Sequence, residues 1–261
     1  MKISITQNNS FKKIVSAAIW ILIWQGIYML VNREILIVSP LTVLKTLFSL
    51  SLTKAFWLIV SQSMLRIIYG FLISVVLGTA VAVLTAAVPF AYDFFYPPIS
   101  VIRATPVASF IILALVWMKT GSVPLFISFL MVFPIVWSNV LQGIRNTDKK
   151  LLEMADVFRF SALKKIYMIY LPSVMPYFVA AAATGTGLAF KSGIAAEVIS
   201  RPKLSIGSML YDSKIYIETP ELFAWTAAVI ILSVILEALF MRLIRLLGRK
   251  FEIKGETYDS D

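Results

Sequence analysis

The sequence contains no histidine and no cysteine, which excludes several common kinds of active site. Without cysteine the chain forms no disulfides, and without either residue it offers no imidazole or thiolate ligands to a metal ion. The usual pairing of a serine or cysteine nucleophile with a histidine base is excluded as well. We therefore expect no enzyme chemistry, no metal site and no bound cofactor in this chain.

Charged residues are also scarce, at 15% of the 261 residues, whereas 59% are hydrophobic. A mean hydropathy of +0.87 is too high for a soluble domain and indicates a protein that crosses a membrane several times. The net charge of +10 could suggest nucleic-acid binding, but the basic residues cluster between apolar segments and at the two ends. Orientation in a lipid bilayer explains that distribution better, so we predict no nucleic-acid partner.

Six apolar segments predict an all-α membrane protein, a single transmembrane domain over residues 1–261. A helix needs about 20 residues to span the hydrocarbon core. The segments lie at 14–32, about 56–87, 107–118 after an interrupted start, 123–144, beyond Pro172, and 222 to about 247. We interpret the first as a retained span, because no small-residue cleavage site follows it. Residues 89–98 are expected to connect the second and third spans.

The positions of the basic residues predict the orientation of the spans. Short loops rich in lysine and arginine stay on the cytoplasmic side. Six spans with both termini inside place fourteen of the 24 basic residues in the cytosol, at the two ends and in one long loop. We therefore predict cytoplasmic N- and C-termini, with a disordered tail over residues 251–261.

That long loop, residues 145–172, lies between the fourth and fifth spans and predicts two short helices joined by a turn. Leu151, Ala155 and Phe158 recur at helical spacing and form an apolar stripe. Capping side chains precede both helices: Asn146, Thr147 and Asp148 precede the first, and Ser161 can cap the second. Pro172 is expected to mark a boundary before the fifth span. A helix pair of this kind in water needs a partner to cover its stripe, unless the loop is only a basic segment that sets topology.

The loop resembles the cytosolic motif of the membrane subunits of binding-protein-dependent ATP-binding-cassette importers. That motif reads Glu-Ala-Ala, three residues, Gly, nine residues and Ile-x-Leu-Pro. Its matching positions here are Glu153, Ala155, Ile169, Leu171 and Pro172, while Met154 and Arg159 replace an alanine and the glycine. The six-span layout extends the resemblance over most of the chain, and the chain is most similar to the permeases of the nitrate, taurine and alkanesulfonate group.

The resemblance implies that the loop is a coupling element between this chain and a separate ATPase subunit, which binds ATP and Mg. It also implies a second permease copy, an external solute-binding protein, and a small solute, anionic, sulfonated or a thiamine precursor. The residues to which it gives the coupling role are Glu153, Met154, Ala155, Asp156, Phe158, Arg159, Phe160 and Ser161.

Arg159 stands where the motif has glycine. A non-glycine residue in a left-handed turn costs about 1 to 2 kcal/mol. The turn could therefore be made at Arg159 despite that cost, made with negative φ, or displaced towards Phe160.

Two spans carry faces almost without side chains, which predicts close packing of helices. Gly70, Ser74, Gly78 and Ala82 repeat every four residues in the second span, and residues 180–187 read AAAATGTG in the fifth. Arg66 should either extend its charge to the membrane surface or pair with an acidic residue, because an unpaired charge in the bilayer is costly.

Polar and irregular positions inside the spans are candidates for the translocation path. Proline interrupts helix hydrogen bonding, which lipid tolerates only where protein or a water-filled cavity supplies partners. Ionisable residues within spans are likewise functional candidates. The candidates are Arg103, Thr105, Pro106, Thr184, Lys191 and Glu197. The alternatives are a kink buried against a neighbouring helix for the first three, tight packing at Thr184, and an interfacial pair of Lys191 with Glu197.

Residues 185–192, GTGLAFKS, nearly form a phosphate-binding P-loop. Phe190 stands where the second glycine is required, and no strand precedes the segment. Energy from ATP must therefore come from another polypeptide.

Two segments expected outside are candidates for docking the solute-binding protein. One is the helical pattern of Leu41, Leu44, Leu47 and Phe48, interpreted as an amphipathic helix at the interface or a packed loop helix, and the other is the polar interval 201–221.

Two other functions remain open from the residues alone. A carrier or channel that works by itself would be expected to show internal repeats, which we do not find. A membrane-embedded scaffold or enzyme is disfavoured on the enzyme side by the absent histidine and cysteine.

Overall fold

In the computed structural model the described backbone, residues 9–252, is helical throughout and contains no strand, and side chains are described for residues 15–242. The helices are α1 Asn9–Val31, α2 Pro40–Ser51, α3 Lys54–Ala87, α4 Pro89–Ala104, α5 Val107–Trp117, α6 Val123–Arg145, α7 Lys149–Val157, α8 Ala162–Lys165, α9 Leu171–Ser200, α10 Ile206–Ile215 and α11 Thr219–Glu252. A π-helical turn, Ile166–Tyr170, joins α8 to α9. The all-α prediction is confirmed for this part of the chain.

Four helices of the described residues are long and apolar enough to cross a membrane. They are Lys54–Ala87, Val123–Arg145, Ala162–Ser200 and Thr219–Arg242. The pair α4 and α5, bent by 109° at its break, makes a fifth span if it is counted as one. A shorter apolar helix covers Val15–Val31. The described chain therefore has four or five spans by length and composition, and six spans with cytoplasmic termini stay a prediction.

The break in the third span lies where the sequence places it, but the expected connection before it is wrong. Pro89 occupies the first turn of α4, where the missing proline N–H is not needed, so residues 89–98 are helical. Pro97 and Pro98 lie inside that helix without ending it. The helix ends at Ala104, and Thr105 is extended before Pro106, as expected for a residue that precedes proline.

The chain divides into two compact units. One contains the residues up to Leu58 together with Met209–Ile230, and the other contains Ile59–Ser208 and the residues from Ile231.

In the first unit, aromatic pairs hold the helices together. Trp24 stacks on Phe223 with ring centroids 6.1 Å apart, and Phe56 stacks on Trp225 at 5.0 Å. Ser39 caps α2 by accepting from the Thr42 backbone N–H. The predicted apolar face of α2 is solvent-accessible here, with Leu41, Leu44 and Phe48 each more than half exposed.

In the second unit, α6 is the most buried of the long helices and packs between α3 and α9. Ser74 of α3 donates its hydroxyl to the Phe129 carbonyl at 2.7 Å, and Ser128 of α6 donates to the Ala189 carbonyl at 3.1 Å. A Cβ on Gly78 would lie 2.9 Å from Val136. The small faces predicted in the second and fifth spans are therefore packing faces, as expected.

Candidate functional site

The loop between α6 and α9 folds as the predicted pair of short helices. Asp148 caps α7 by accepting from the Lys150 N–H at 2.8 Å, so of the three predicted capping residues it is Asp148 that does so. Ser161 caps α8 by accepting from the Lys164 N–H at 3.4 Å. The Asp156 carboxylate forms a salt bridge with Lys165, which connects the two helices.

The turn between the two helices is left-handed at Arg159, where φ is +51°. The alternatives of a negative φ and of a turn displaced to Phe160 are therefore wrong. The Phe160 N–H donates to the Ala155 carbonyl at 2.8 Å and the Arg159 N–H donates to the Asp156 carbonyl at 3.0 Å. These two bonds form a Schellman motif, which satisfies the last carbonyls of α7 and offsets the cost of the left-handed residue.

Around this turn lies an exposed apolar surface, which we call the loop's apolar surface. Its members are Leu151 at 42% exposed, Met154 at 43%, Val157 at 79%, Phe158 at 69% and Leu163 at 79%. Ala155, which the sequence places on the same stripe, is fully buried, so that part of the prediction is wrong. Large apolar side chains clustered on a polar segment indicate an interaction site.

The charged and polar side chains beside this surface remain accessible. Glu153, Asp156, Arg159 and Ser161 are exposed, and Phe160 is half-buried. Lys164 lies over the Phe160 ring, 3.9 Å from its centroid. The predicted coupling residues other than Ala155 and Phe160 are thus available to a partner.

Pro172 does not separate the loop from the fifth span. Helix α8, the π-helical turn and α9 form one continuous helix, Ala162–Ser200. A proline ring clashes with the carbonyl four residues earlier in an α-helix. Here Leu171 N–H donates instead to Ile166, five residues back, and this wider turn leaves room for the proline. The expectation of a boundary at Pro172 is therefore wrong.

The residues at the break of the third span are held mainly by helix-end contacts. Arg103 donates to the Pro134 carbonyl at 2.8 Å and lies 5.9 Å from the Trp137 ring centroid. Thr105 donates to the Val101 carbonyl at 2.8 Å. Arg103 and Pro106 are nonetheless exposed.

On α9, Thr184 and Lys191 are both exposed, seven residues and therefore about two turns apart on one face. The other face packs on α3 and α6, where a Cβ on Gly185 would lie 2.9 Å from Val132. The structure therefore brings these two candidates to one open face.

Glu197 is not on that face, and it does not pair with Lys191. It is fully buried, and its salt bridge in the described structure is with Arg66 at 3.4 Å. Its carboxylate also accepts from the Ser63 hydroxyl at 2.8 Å and from the Gly207 N–H at 3.2 Å. Of the two alternatives for Arg66, pairing with an acid is the one the structure shows.

Sequence reasoning missed two groups in this site. Ser63 carries no motif, and only its position one helical turn before Arg66 could have indicated that the two act together. Met154 and Val157 were not assigned to the stripe, although helical spacing from Leu151 places them near it.

Comparison with known proteins gives a family and several relatives. The family of binding-protein-dependent transport system inner membrane components matches residues 74–253. A permease named for aliphatic sulfonate transport, SsuC of Bacillus subtilis, is 27% identical over 95% of this chain and 89% of its own length. The taurine transport permease TauC of Escherichia coli is 22% identical over 76% of this chain and 74% of its own. The nitrate import permease NrtB of Synechocystis is 24% identical over 76% and 75%.

Proposed function

Because the chain belongs to the family of binding-protein-dependent transport system inner membrane components, we propose that its loop between α6 and α9 is the attachment point for a separate ATPase subunit. The protein is a multi-pass permease subunit of the cell membrane, of the sulfonate, taurine and nitrate group. Family membership decides against a carrier or channel that works by itself and against a membrane-embedded enzyme.

The loop's apolar surface carries this proposal. Five large apolar side chains surround a short helix in a segment that also holds six basic residues, and such a segment lies in cytosolic water. Exposing them to water without a partner is unfavourable, at about 25 cal/mol per Å² of apolar surface. A groove on a soluble subunit that receives α7 would cover them, with Phe158 and Met154 as the central contacts.

The proposed mechanism follows from the continuity of the helix Ala162–Ser200. ATP binding draws two ATPase subunits together, and the loops that they hold move with them. Since α8 continues into α9, its displacement is carried into the membrane and shifts the solute path between inward-facing and outward-facing states. The nucleotide acts as a ligand that favours one of two conformations.

The solute we propose is a small anion. The relatives are named for sulfonates, taurine and nitrate, and another is a bicarbonate transport permease of Synechocystis. All of these are small and carry a negatively charged group. The complete transporter contains two copies of this chain, each with six spans and cytoplasmic termini, two ATPase subunits and an external solute-binding protein that docks on residues 201–221 and the segment around Ser39.

Reversing the charge of Glu153 should disconnect transport from ATP hydrolysis. Glu153 is exposed on α7 beside the loop's apolar surface, so Glu153→Lys leaves the fold intact but places the wrong charge against the ATPase groove. We expect ATP-driven uptake to fall by about tenfold or more, because like charges across an interface cost several kcal/mol. Uptake into proteoliposomes measures this, with Glu153→Gln as the milder control. Normal uptake by Glu153→Lys would contradict the proposed role.

The open face of α9 should be reachable by polar reagents if it lines the solute path. Because the chain contains no cysteine, single replacements are labelled uniquely. Thr184→Cys and Lys191→Cys should react with a polar maleimide, since a thiol in a water-filled path ionises and one facing lipid does not. Ala182→Cys, on the buried face of the same helix, is the control and should stay protected. Protection of all three positions in both nucleotide states would exclude Thr184 and Lys191 from the path.

A further inference from the structure

The contacts of Glu197 connect α9 to the segment that follows it, residues 201–208. We infer that Ser63, Arg66 and Glu197, which we call the Glu197 network, are positioning residues that make this segment move with α9. The network thereby carries the effect of a docked solute-binding protein to the ATPase. This inference rests on the proposed function.

Arg66 is the part of the network that reaches furthest along the segment. Besides its salt bridge to Glu197, it donates to the Lys203 carbonyl at 3.0 Å and to the Leu204 carbonyl at 3.2 Å. Both carbonyls belong to the peptide backbone, so the arginine holds the course of the chain and not a particular side chain. Its own side chain is 19% exposed, at the edge of the buried network.

Ser63 and Glu197 hold the other end of the segment. The Ile206 N–H donates to the Ser63 hydroxyl oxygen at 3.0 Å, and the Ser63 hydroxyl donates in turn to Glu197 at 2.8 Å. The Gly207 N–H donates to the same carboxylate at 3.2 Å. A Cβ on Gly207 would lie 2.3 Å from the Glu197 Cβ, so the segment lies directly against α9. An ionised carboxylate fits this role because it accepts several hydrogen bonds at once.

The backbone of the segment has an unusual course that these contacts maintain. Arg201 and Leu204 are in the left-handed region, with φ of +49° and +52°. Residues other than glycine persist in that region only where the surroundings determine the conformation. The bonds from Arg66, Ser63 and Glu197 supply those surroundings.

Glu197 and the loop's attachment residues lie on one helix. The helix Ala162–Ser200 begins at α8, in the proposed attachment loop, and reaches Glu197 in its last turn. At 1.5 Å per residue this helix is roughly 55 Å long, which exceeds the thickness of the hydrocarbon core. A movement imposed at either end therefore reaches the other through a single helix, provided that the Glu197 network holds the segment to it.

The test compares ATPase activity of the complete transporter with and without solute-loaded binding protein. Glu197→Gln and Ser63→Ala weaken the network, and Asp93→Asn removes an exposed carboxylate elsewhere as the control. We expect basal ATPase activity to be kept in all three, and its stimulation by binding protein to fall about fivefold or more in the first two only, the usual lower range of coupling between sites. Stimulation equal to wild type in both network variants would overturn the inference.

A distance measurement separates positioning from mere stability. Spin labels on Lys203→Cys and on Thr184→Cys each report the distance between the two copies in the assembled transporter. We expect ATP to shift both distances in the wild-type background and only the Thr184 distance in Glu197→Gln. Equal shifts at both sites in Glu197→Gln, or failure of both network variants to assemble, would show that the network is structural only. Absence of ATP-driven uptake in the wild-type complex would instead contradict the proposed function itself.

Discussion

We expect the Phe158→Asp variant to lose ATP-driven uptake while remaining inserted in the membrane. Phe158 is 69% exposed at the end of α7 and is the largest side chain of the loop's apolar surface. Aromatic anchors at the centre of an interface commonly contribute about 2 kcal/mol or more, and a charge placed there must also be desolvated. The affinity for the ATPase subunit should therefore fall by at least about 30-fold. Copurification of the two subunits and uptake into proteoliposomes measure the two effects.

Lys149→Ala is the matched control for this variant. It changes the net charge by the same amount, and Lys149 is nine residues before Phe158, which places it on the opposite side of the helix. It should keep wild-type copurification and uptake. If Phe158→Asp retained the ATPase subunit as well as Lys149→Ala does, the loop's apolar surface would not be the attachment site.

Replacing Gly70 by alanine should prevent stable packing of α3 against α6. The new Cβ would lie 2.3 Å from the Leu125 carbonyl oxygen and 2.9 Å from the Ser128 Cβ, so two helix backbones would have to separate. Overpacking of this kind costs about 1 to 3 kcal/mol or more, whereas the helix preference for alanine returns only about 0.5 to 1 kcal/mol. The net effect is a less stable protein, seen as a lower melting temperature in detergent and lower accumulation in the membrane.

Gly187→Ala separates this packing effect from the general effect of adding a methyl group. Gly187 also lies in a membrane-spanning helix, but no atom lies within 4 Å of the position its Cβ would occupy. Its melting temperature should equal or slightly exceed that of the wild type. Equal melting temperatures for Gly70→Ala and the wild type would show that α3 and α6 pack less closely than described.

The helices of the loop could be predicted because their determinants are local. Asp148 and Ser161 cap the two helices from adjacent positions in the chain, and the turn at Arg159 is closed by bonds no longer than five residues. The small faces of α3 and α9 were equally readable, since small residues at helical spacing leave close packing as the main explanation. The family motif added a role to these elements that the patterns alone do not contain.

The features that could not be predicted depend on partners distant in sequence or on the detailed course of the backbone. Glu197 is assigned to packing only by Ser63 and Arg66, more than 130 residues earlier in the chain. Pro172 looks like a helix boundary, but the π-helical turn accommodates it without a break. Ala155 belongs to the apolar stripe by spacing, yet its small side chain faces the protein. Helix α11 ends at Glu252, and the remainder of the predicted tail lies outside the described residues.

The central claim is that the loop between α6 and α9 is held by an ATPase subunit in the cytosol. A single cysteine at Met154, which is 43% exposed on α7, can carry a thiol-specific photo-crosslinker in membranes that contain the assembled transporter. We expect a covalent product with the ATPase subunit, and none from a cysteine at Lys203. Labelling of Met154→Cys by an impermeant thiol reagent added outside intact cells, with no product joining the two subunits, would contradict the account.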